Sequence, residues 1–402
     1  MTDWRRYFGL CSVLMILLLS WGYALHLSGW LQAEYQGLSV RMHGRVTQEA
    51  LFRAISENAD ESILRVSAWT RNELATINNE SLETAARVRR IAVYGGMHDV
   101  CPMELLYGGF PAMVDEAGCV IDEDTAWSLF HHKDVIGADV RIGGKPYIVR
   151  GIVRAKEAMI LFRDEKAEYE NLEIACSNME EATSLVTTFL YRYGLAAEYT
   201  VVENGFYGRL AAGLSGLPGW IIGMAILFAL LKRAWKRRSI PLQFILLCIA
   251  LAGTFYLLKW LLEFHLYWPD RFLPTRWSDF TFWPELIKAQ TDYFESLSFL
   301  QPVPKDMQWF SAVRRLFVSL TVSCATAVYL LRTGKTRVGE QHFDYGSILC
   351  ILLCAALSVA ILYPLGIPFV PSKTYLFAAP IWWLFETSRK INFNDMQRLF
   401  TQ

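Results

Sequence analysis

GCVIDEDTAWSLFHHKDVIGADVRIGGKPYIVRGIV, residues 118–153, reads as a strand, a short helix and a hairpin in succession. Residues 118–121 are a short apolar run. Asp122 or Asp124 then stands where a helix N-cap belongs, ahead of Trp127 and Phe130. Residues 138–142 and 147–153 are β-branched runs separated by Gly143, Gly144 and Pro146, the signature of two strands joined by a tight turn. Upstream, residues 63–69 and 91–94 read as strands. Residues 47–53 and 79–90 read as helices, the second capped by Asn79 or Ser81. Downstream, residues 172–176 and 198–202 read as strands around a helix at 180–193 that carries Leu185, Val186, Phe189 and Leu190 and ends at Gly194, a C′ glycine. Residues 32–209 are therefore long enough, and patterned enough, for one α+β domain with its own core.

The chain on either side of this domain is of another kind. The whole is 53% hydrophobic and 19% charged, against about 25% charged in soluble domains. Residues 8–27 run without an acid or base after Arg5 and Arg6, the length of a membrane crossing, and lack a small-residue cleavage site, so they read as an uncleaved span. Residues 210–231, 240–258, 316–331 and 345–367 read as further spans, and residues 375–385, with Pro380, as either a short sixth span or a re-entrant or interfacial segment. With six spans, Arg5, Arg6, Lys232, Arg233, Lys236, Arg237, Arg238, Arg332, Lys335, Arg337, Arg389 and Lys390 fall on one side, the cytoplasm by the positive-inside rule. Arg314 and Arg315 are the exception. Residues 32–209 then lie outside and hold 27 acids against 18 bases. The expected organisation is residues 1–31 (N-terminus and first span), 32–209 (external domain), 210–262 (second and third spans), 263–315 (external aromatic loop), 316–388 (fourth to sixth spans) and 389–402 (cytoplasmic tail).

The arrangement of residues 118–153 resembles the MacB-like periplasmic core domain of FtsX-like and MacB-like ABC permeases. In that family a small helix ending Leu-Phe is followed by a Val-Gly or Ile-Gly step, a glycine turn and a strand ending Val-x-Gly-Val. Leu129, Phe130, Ile136, Gly137, Gly144, Tyr147, Val149, Gly151 and Val153 occupy the matching positions, and residues 103–110 resemble the family's approach to the hairpin. The resemblance implies a polytopic α-helical membrane protein with an α+β extracytoplasmic domain inserted after the first transmembrane helix, acting as a permease-type subunit with a separate ABC ATPase. Lys232, Arg233, Lys236, Arg237 and Arg238 are then the candidate contact with that ATPase. The membrane half departs from the family's usual four spans, and the turn at 232–239 is short and without acid.

Little else carries chemistry. Gly334, Lys335 and Thr336 imitate the end of a phosphate-binding loop, but position 329 is Tyr and no strand precedes it. His131 and His132 are adjacent, which on a helix turns them about 100° apart rather than toward one metal. Asp122, Glu123 and Asp124 suit a helix N-terminus. No catalytic, cofactor or metal residue is expected, and the net charge of zero gives no reason to expect nucleic acid as a partner. Of the cysteines outside the spans, Cys101 and Cys119 are the candidate disulfide, Cys176 being the odd one; free thiols are the alternative. Around 269–304, Trp268, Trp277, Phe280, Phe282, Trp283 and Phe294 suit a membrane interface, and Leu286, Tyr293, Phe294 and Leu297 fall at helical spacing, as in an amphipathic helix lying on the outer surface. The expected partners are an ABC ATPase, an extracytoplasmic protein, membrane lipid and a second membrane subunit, like or unlike. A membrane-anchored scaffold without ATPase coupling is the alternative function.

Overall fold

The computed structural model describes residues 2–100, 102–195, 198–236, 238–262, 272–274, 276, 279–336, 356–358 and 360–362. In chain order the elements are α1 (Thr2–Glu34), β1 (Gly37–Thr47), α2 (Gln48–Glu57), β2 (Ile63–Asn79), β3 (Thr84–Tyr94), β4 (Glu104–Gly108), β5 (Gly118–Asp122), α3 (Glu123–Phe130), β6 (Asp139–Ile142), β7 (Lys145–Arg154), β8 (Met159–Phe162), β9 (Glu168–Cys176), α4 (Ala182–Arg192), β10 (Tyr199–Val202), α5 (Asn204–Ser215), α6 (Leu217–Lys236), α7 (Pro241–Leu262), α8 (Phe282–Ser298) and α9 (Pro304–Thr336). They divide into a sheet unit, residues 34–207 with 269–309, and a helical unit, residues 1–33, 208–268 and 310–402. The segment 269–309, read above as part of a separate loop, thus belongs with the sheet.

Among the described residues the sheet has ten strands in the order β10-β1-β9-β2-β3-β8-β5-β7-β4, with β6 pairing both β2 and β7. Its local logic is legible. Thr47 caps α2, accepting from Ala50 N at 3.4 Å. Asp122 ends β5 and caps α3, its carboxylate accepting from the backbone of Asp124 and Thr125 at 3.0 Å each and from Met159 N at 2.7 Å. Burial pushes the Asp122 carboxyl up from its ordinary value against those hydrogen bonds. Gly194 follows α4 at φ +59°, the left-handed step that lets the chain leave the helix.

One expected helix is a hairpin instead. Residues 79–90 form the end of β2, a turn and most of β3, paired antiparallel from Ala68↔Tyr94 to Asn79↔Thr84. The polar–apolar alternation there has the period of a strand, and only the pairing across the turn distinguishes it from a weak helix. Asn79 accepts from Ser81 N at 3.0 Å, closing the turn rather than capping a helix, and Glu83 takes φ 53°.

One face of the sheet carries two apolar clusters. Leu38, Val40, Leu172 and Ile174 pack with Leu51 of α2 and Val186, Phe189 and Leu190 of α4. Val88, Ala92, Ile121 and Val149 pack with Ala126 and Leu129 of α3. The opposite face gathers Trp69, Ile91, Val93, Val120 and Leu161 with Val303, the residue before α9.

In the helical unit Leu14, Leu17, Leu18 and Trp21 of α1 pack with Ile222, Leu258, Ala327 and Leu330. Hydroxyls tie the same helices: Ser20 and Ser323 Oγ are 2.8 Å apart, and Ser319 Oγ donates to Ser20 O at 2.6 Å. The indole N–H of Trp21 donates to Ser215 O at 2.8 Å. Such small-residue and hydroxyl contacts are how helices associate in lipid. Among the described residues three stretches are long and apolar enough to cross a membrane: Cys11–Glu34, Asn204–Lys232 and Pro304–Leu331. The expected third span, residues 240–258, falls on α7 (Pro241–Leu262), whose apolar stretch Pro241–Tyr256 is shorter than those three. The expected fifth span falls mostly, and the expected sixth wholly, outside the described residues.

Gly37 starts β1 against β9 so closely that a Cβ there would lie 2.2 Å from Ile174 O, a backbone atom that cannot swing aside. Gly37→Ala is expected to cost about 1–3 kcal/mol, read as a lower thermal midpoint of the purified protein. Gly44→Ala, in the same strand with open space around it, is expected to leave the midpoint within error or raise it slightly.

Candidate functional site: a buried ion cluster between the sheet and α9

The strand sequence LSVRM, residues 38–42, sends Leu38, Val40 and Met42 into the core beneath α2 and α4 and turns Ser39 and Arg41 to the other face. On neighbouring β9, Glu173 lies opposite Ser39 and Asn171 opposite Arg41; on β2, Trp69 lies opposite Asn171. This polar stripe would ordinarily face water. Here it is buried, with Ser39, Arg41 and Glu173 each no more than 6% exposed.

The start of α9 covers it. Pro304 opens the helix, a position for which its fixed φ and missing N–H suit it. Lys305 and Asp306 follow, 7% and 5% exposed. The Arg41 guanidinium grips Asp306 with two parallel hydrogen bonds, Nε to Oδ2 at 2.9 Å and Nη2 to Oδ1 at 2.7 Å. Its third nitrogen, Nη1, donates to Glu173 Oε1 at 2.8 Å. Lys305 Nζ donates to Glu173 Oε2 at 2.7 Å and to the carbonyl of Asp99 at 2.7 Å. Glu173 also accepts from the Trp69 indole at 3.0 Å and from Ser39 Oγ. Asn204, at the start of α5, donates to Ser39 Oγ at 2.8 Å, and Tyr35, between α1 and β1, donates to Lys305 O at 3.0 Å.

Two cations and two anions thus cancel within a few ångströms. Burial disfavours the Glu173 carboxylate, but Lys305, Arg41 and their hydrogen bonds outweigh it and hold the carboxyl below its ordinary value. Burial likewise opposes charge on Arg41, and the two carboxylates overcome it, raising its pKa. Asp306 lies in the first turn of α9, where the helix dipole favours an acid; Lys305 is in the same turn, where the dipole opposes it, and Glu173 with the Asp99 carbonyl compensates. Because Lys305 and Asp306 are adjacent and opposite in charge, the cluster reads the rotation and register of α9. Exchanging them would set a cation beside Arg41 and an anion beside Glu173.

None of these residues is among the candidates read from the sequence. The signal was faint: a charge alternating with apolar residues in a strand is normally a solvated face, and Pro-Lys-Asp at 304–306 carries no partner in its own neighbourhood. The expected residues lie elsewhere. Leu129 is buried under α3 and Phe130 is half-buried. Gly137 and Gly144 take φ +84° and +88°, so both positions require glycine-like freedom. Tyr147 packs edge-on against Phe162 at 5.6 Å and donates to Arg163 O at 3.0 Å. Gly151 lets β7 pass Gly109, whose carbonyl would be 2.7 Å from an added Cβ. These six positions build the domain. Cys119 is a free thiol in β5, fully buried and pushed up to about 12 by burial, and Cys101 lies outside the described residues. Of the basic group, Lys232, Arg233 and Lys236 belong to the last turns of α6 rather than to a loop. Arg237 is outside the described residues, and Arg238 stacks over Trp235 at 5.0 Å.

Residues 8–173 match the family model of the MacB-like periplasmic core domain, the family that the hairpin at 118–153 resembles. Among solved structures, the extracellular domain of the noncanonic ABC-type transporter YknZ from Gram-positive bacteria is 15% identical, with 41% of this chain and 98% of that chain covered and a TM-score of 0.34. The periplasmic region of MacB from Actinobacillus actinomycetemcomitans is 11% identical, with 43% and 91% covered and a TM-score of 0.36. No curated protein matches the chain in sequence.

Two outcomes follow from the cluster. The double variant Lys305→Asp with Asp306→Lys keeps composition and net charge yet is expected to lose about 3–5 kcal/mol, the cost of unpaired buried charge, seen as a lower thermal midpoint and new proteolysis between 299 and 310. Since the folded state holds the Glu173 carboxyl low, its contribution is complete above the unfolded carboxylate pKa, about 4.3, and is lost as pH falls through the lowered value. Glu173→Gln is expected to flatten that acid limb of the thermal midpoint against pH.

Proposed function

We propose that the chain is the permease-type membrane subunit of an ABC transporter-like system, in which a separate ATPase moves the sheet domain through the membrane helices. The observation that carries this reading is the fastening of α9. The helix is continuous for 33 residues, about 50 Å at 1.5 Å per residue, and its first turn is locked to β1 and β9 by the ion cluster. A helix held in rotation and register at one end passes on a push or twist received along its length, whereas a hinged one would dissipate it. The other chain passages meet at the same place. Tyr35, two residues before β1, bonds to the backbone of Lys305, and Asn204, opening α5, bonds to Ser39. Gly205 packs so tightly there that a Cβ would lie 3.0 Å from Gly37 O.

The match to the MacB-like periplasmic core domain supports the same reading, and so does the charge at the far ends of the helices. Arg5 and Arg6 begin α1, Lys232, Arg233 and Lys236 end α6, and Arg332 and Lys335 end α9. These ends are remote in the chain from the sheet domain, and their charge suits a cytoplasmic side with the sheet domain extracytoplasmic. Such a chain needs no catalytic site of its own, since the partner hydrolyses ATP, and it uses no cofactor. One observation favours the alternative of a membrane-anchored scaffold: α6 runs to Lys236 and α7 begins at Pro241, leaving a very short turn for an ATPase to grip.

Isolation of the intact chain in mild detergent separates the two. The permease reading expects a stoichiometric nucleotide-binding subunit to accompany it and to be lost in the double variant Arg237→Glu with Arg238→Glu. Absence of any such subunit, with an extracytoplasmic protein in its place, overturns it in favour of the scaffold.

A further inference from the structure

Helix α8 has one broad apolar face, and only half of it is covered. At 3.6 residues per turn, Leu286, Gln290, Tyr293 and Leu297 form one stripe and Trp283, Ile287 and Phe294 the stripe beside it. Glu285, Lys288, Asp292 and Glu295 occupy the other side of the helix. The first stripe fastens α8 to the sheet unit. Tyr293 Oη accepts from Glu203 N at 3.0 Å, Tyr207 donates to Gln290 Oε1 at 2.7 Å, the rings of Tyr207 and Tyr293 stack at 6.0 Å, and Leu297 is 4% exposed. Two of the residues whose spacing suggested a membrane-facing helix, Tyr293 and Leu297, therefore bind protein instead. The second stripe is largely open: Trp283 is 43%, Ile287 66% and Phe294 45% exposed, the inner edge of the Phe294 ring meeting Tyr207 at 5.6 Å.

We propose that this second stripe lies in the headgroup–acyl boundary of the bilayer, making α8 an interfacial anchor for the base of the sheet domain. Chain continuity selects lipid as the occupant. Five residues separate α8 from α9, which is itself long and apolar enough to cross a membrane. Phe299, 80% exposed, and Met307, 56% exposed, carry the bare apolar surface from one helix into the next. Trp and Phe beside a span are the side chains that settle at headgroup depth. The polar side, three acids to one base, is left to face water. The inference needs only that α9 spans and stands apart from ATPase coupling.

The test places a photoreactive side chain in the full chain, reconstituted in phosphatidylethanolamine–phosphatidylglycerol vesicles. Ile287→benzoylphenylalanine leaves the packed stripe intact, Phe294→benzoylphenylalanine probes the end of the open stripe that borders Tyr207, Asp292→benzoylphenylalanine probes the polar side, and Ile249→benzoylphenylalanine, on the apolar helix α7, sets the scale for a lipid-facing site. After illumination, mass spectrometry is expected to find lipid adducts at 287 and 294 comparable with those at 249, and their loss at 292. Adducts from 287 to protein, whether within the chain or to another, overturn the proposal, as does a lipid yield at 287 no greater than at 292.

Discussion

The pairing of Arg41 and Glu173 on the sheet with Asp306 and Lys305 on α9 is the constraint on which the fastening of α9 to the sheet depends. Four charges leave water together, and removing any one would strand its partner in a medium that solvates it poorly. A cluster of this kind is a weak source of net stability, since its desolvation offsets much of its attraction. Its strength is selectivity. An apolar contact between α9 and the sheet would tolerate a slide or a quarter turn; a bidentate Arg–Asp pair beside a Lys–Glu pair does not.

That selectivity acts where the chain is most crowded. Gly37 and Gly205 are small because backbone atoms occupy the space a side chain would need, and Tyr35, Ser39, Asn204 and Lys305 are linked to one another there by hydrogen bonds. Elements far apart in sequence therefore meet at one polar knot. A knot with few tolerated geometries holds the start of α9 more narrowly than a larger, softer contact would. Helix α8 adds a second fastening beside it, through Tyr293, Gln290 and Leu297.

How much was legible varies with the range of the forces involved. A cap at Asp122 or Asp124, the glycine turn at 143–144, the C′ glycine at 194 and the helix at 47–53 were all readable, because each is decided within a turn or two of chain. Residues 79–90 were misread as a helix: good helix formers in alternation are ambiguous until the partner strand is known, and here β2 and β3 supply each other's hydrogen bonds. The aromatic helix after 280 was foreseen, but the face it presents was not, since half of its apolar surface is claimed by Tyr207 and β10.

The sequence by itself determined the apolar helices, the charge bias of their ends and the strand–helix–hairpin pattern of residues 118–153, all of which rest on local composition and period. Only the tertiary structure decided that Ser39, Arg41 and Glu173 face protein rather than water. The physical reason is that the burial of a polar strand face depends on what returns to cover it. The covering residues, Lys305 and Asp306, arrive more than a hundred positions later in the chain, beyond the reach of any local pattern.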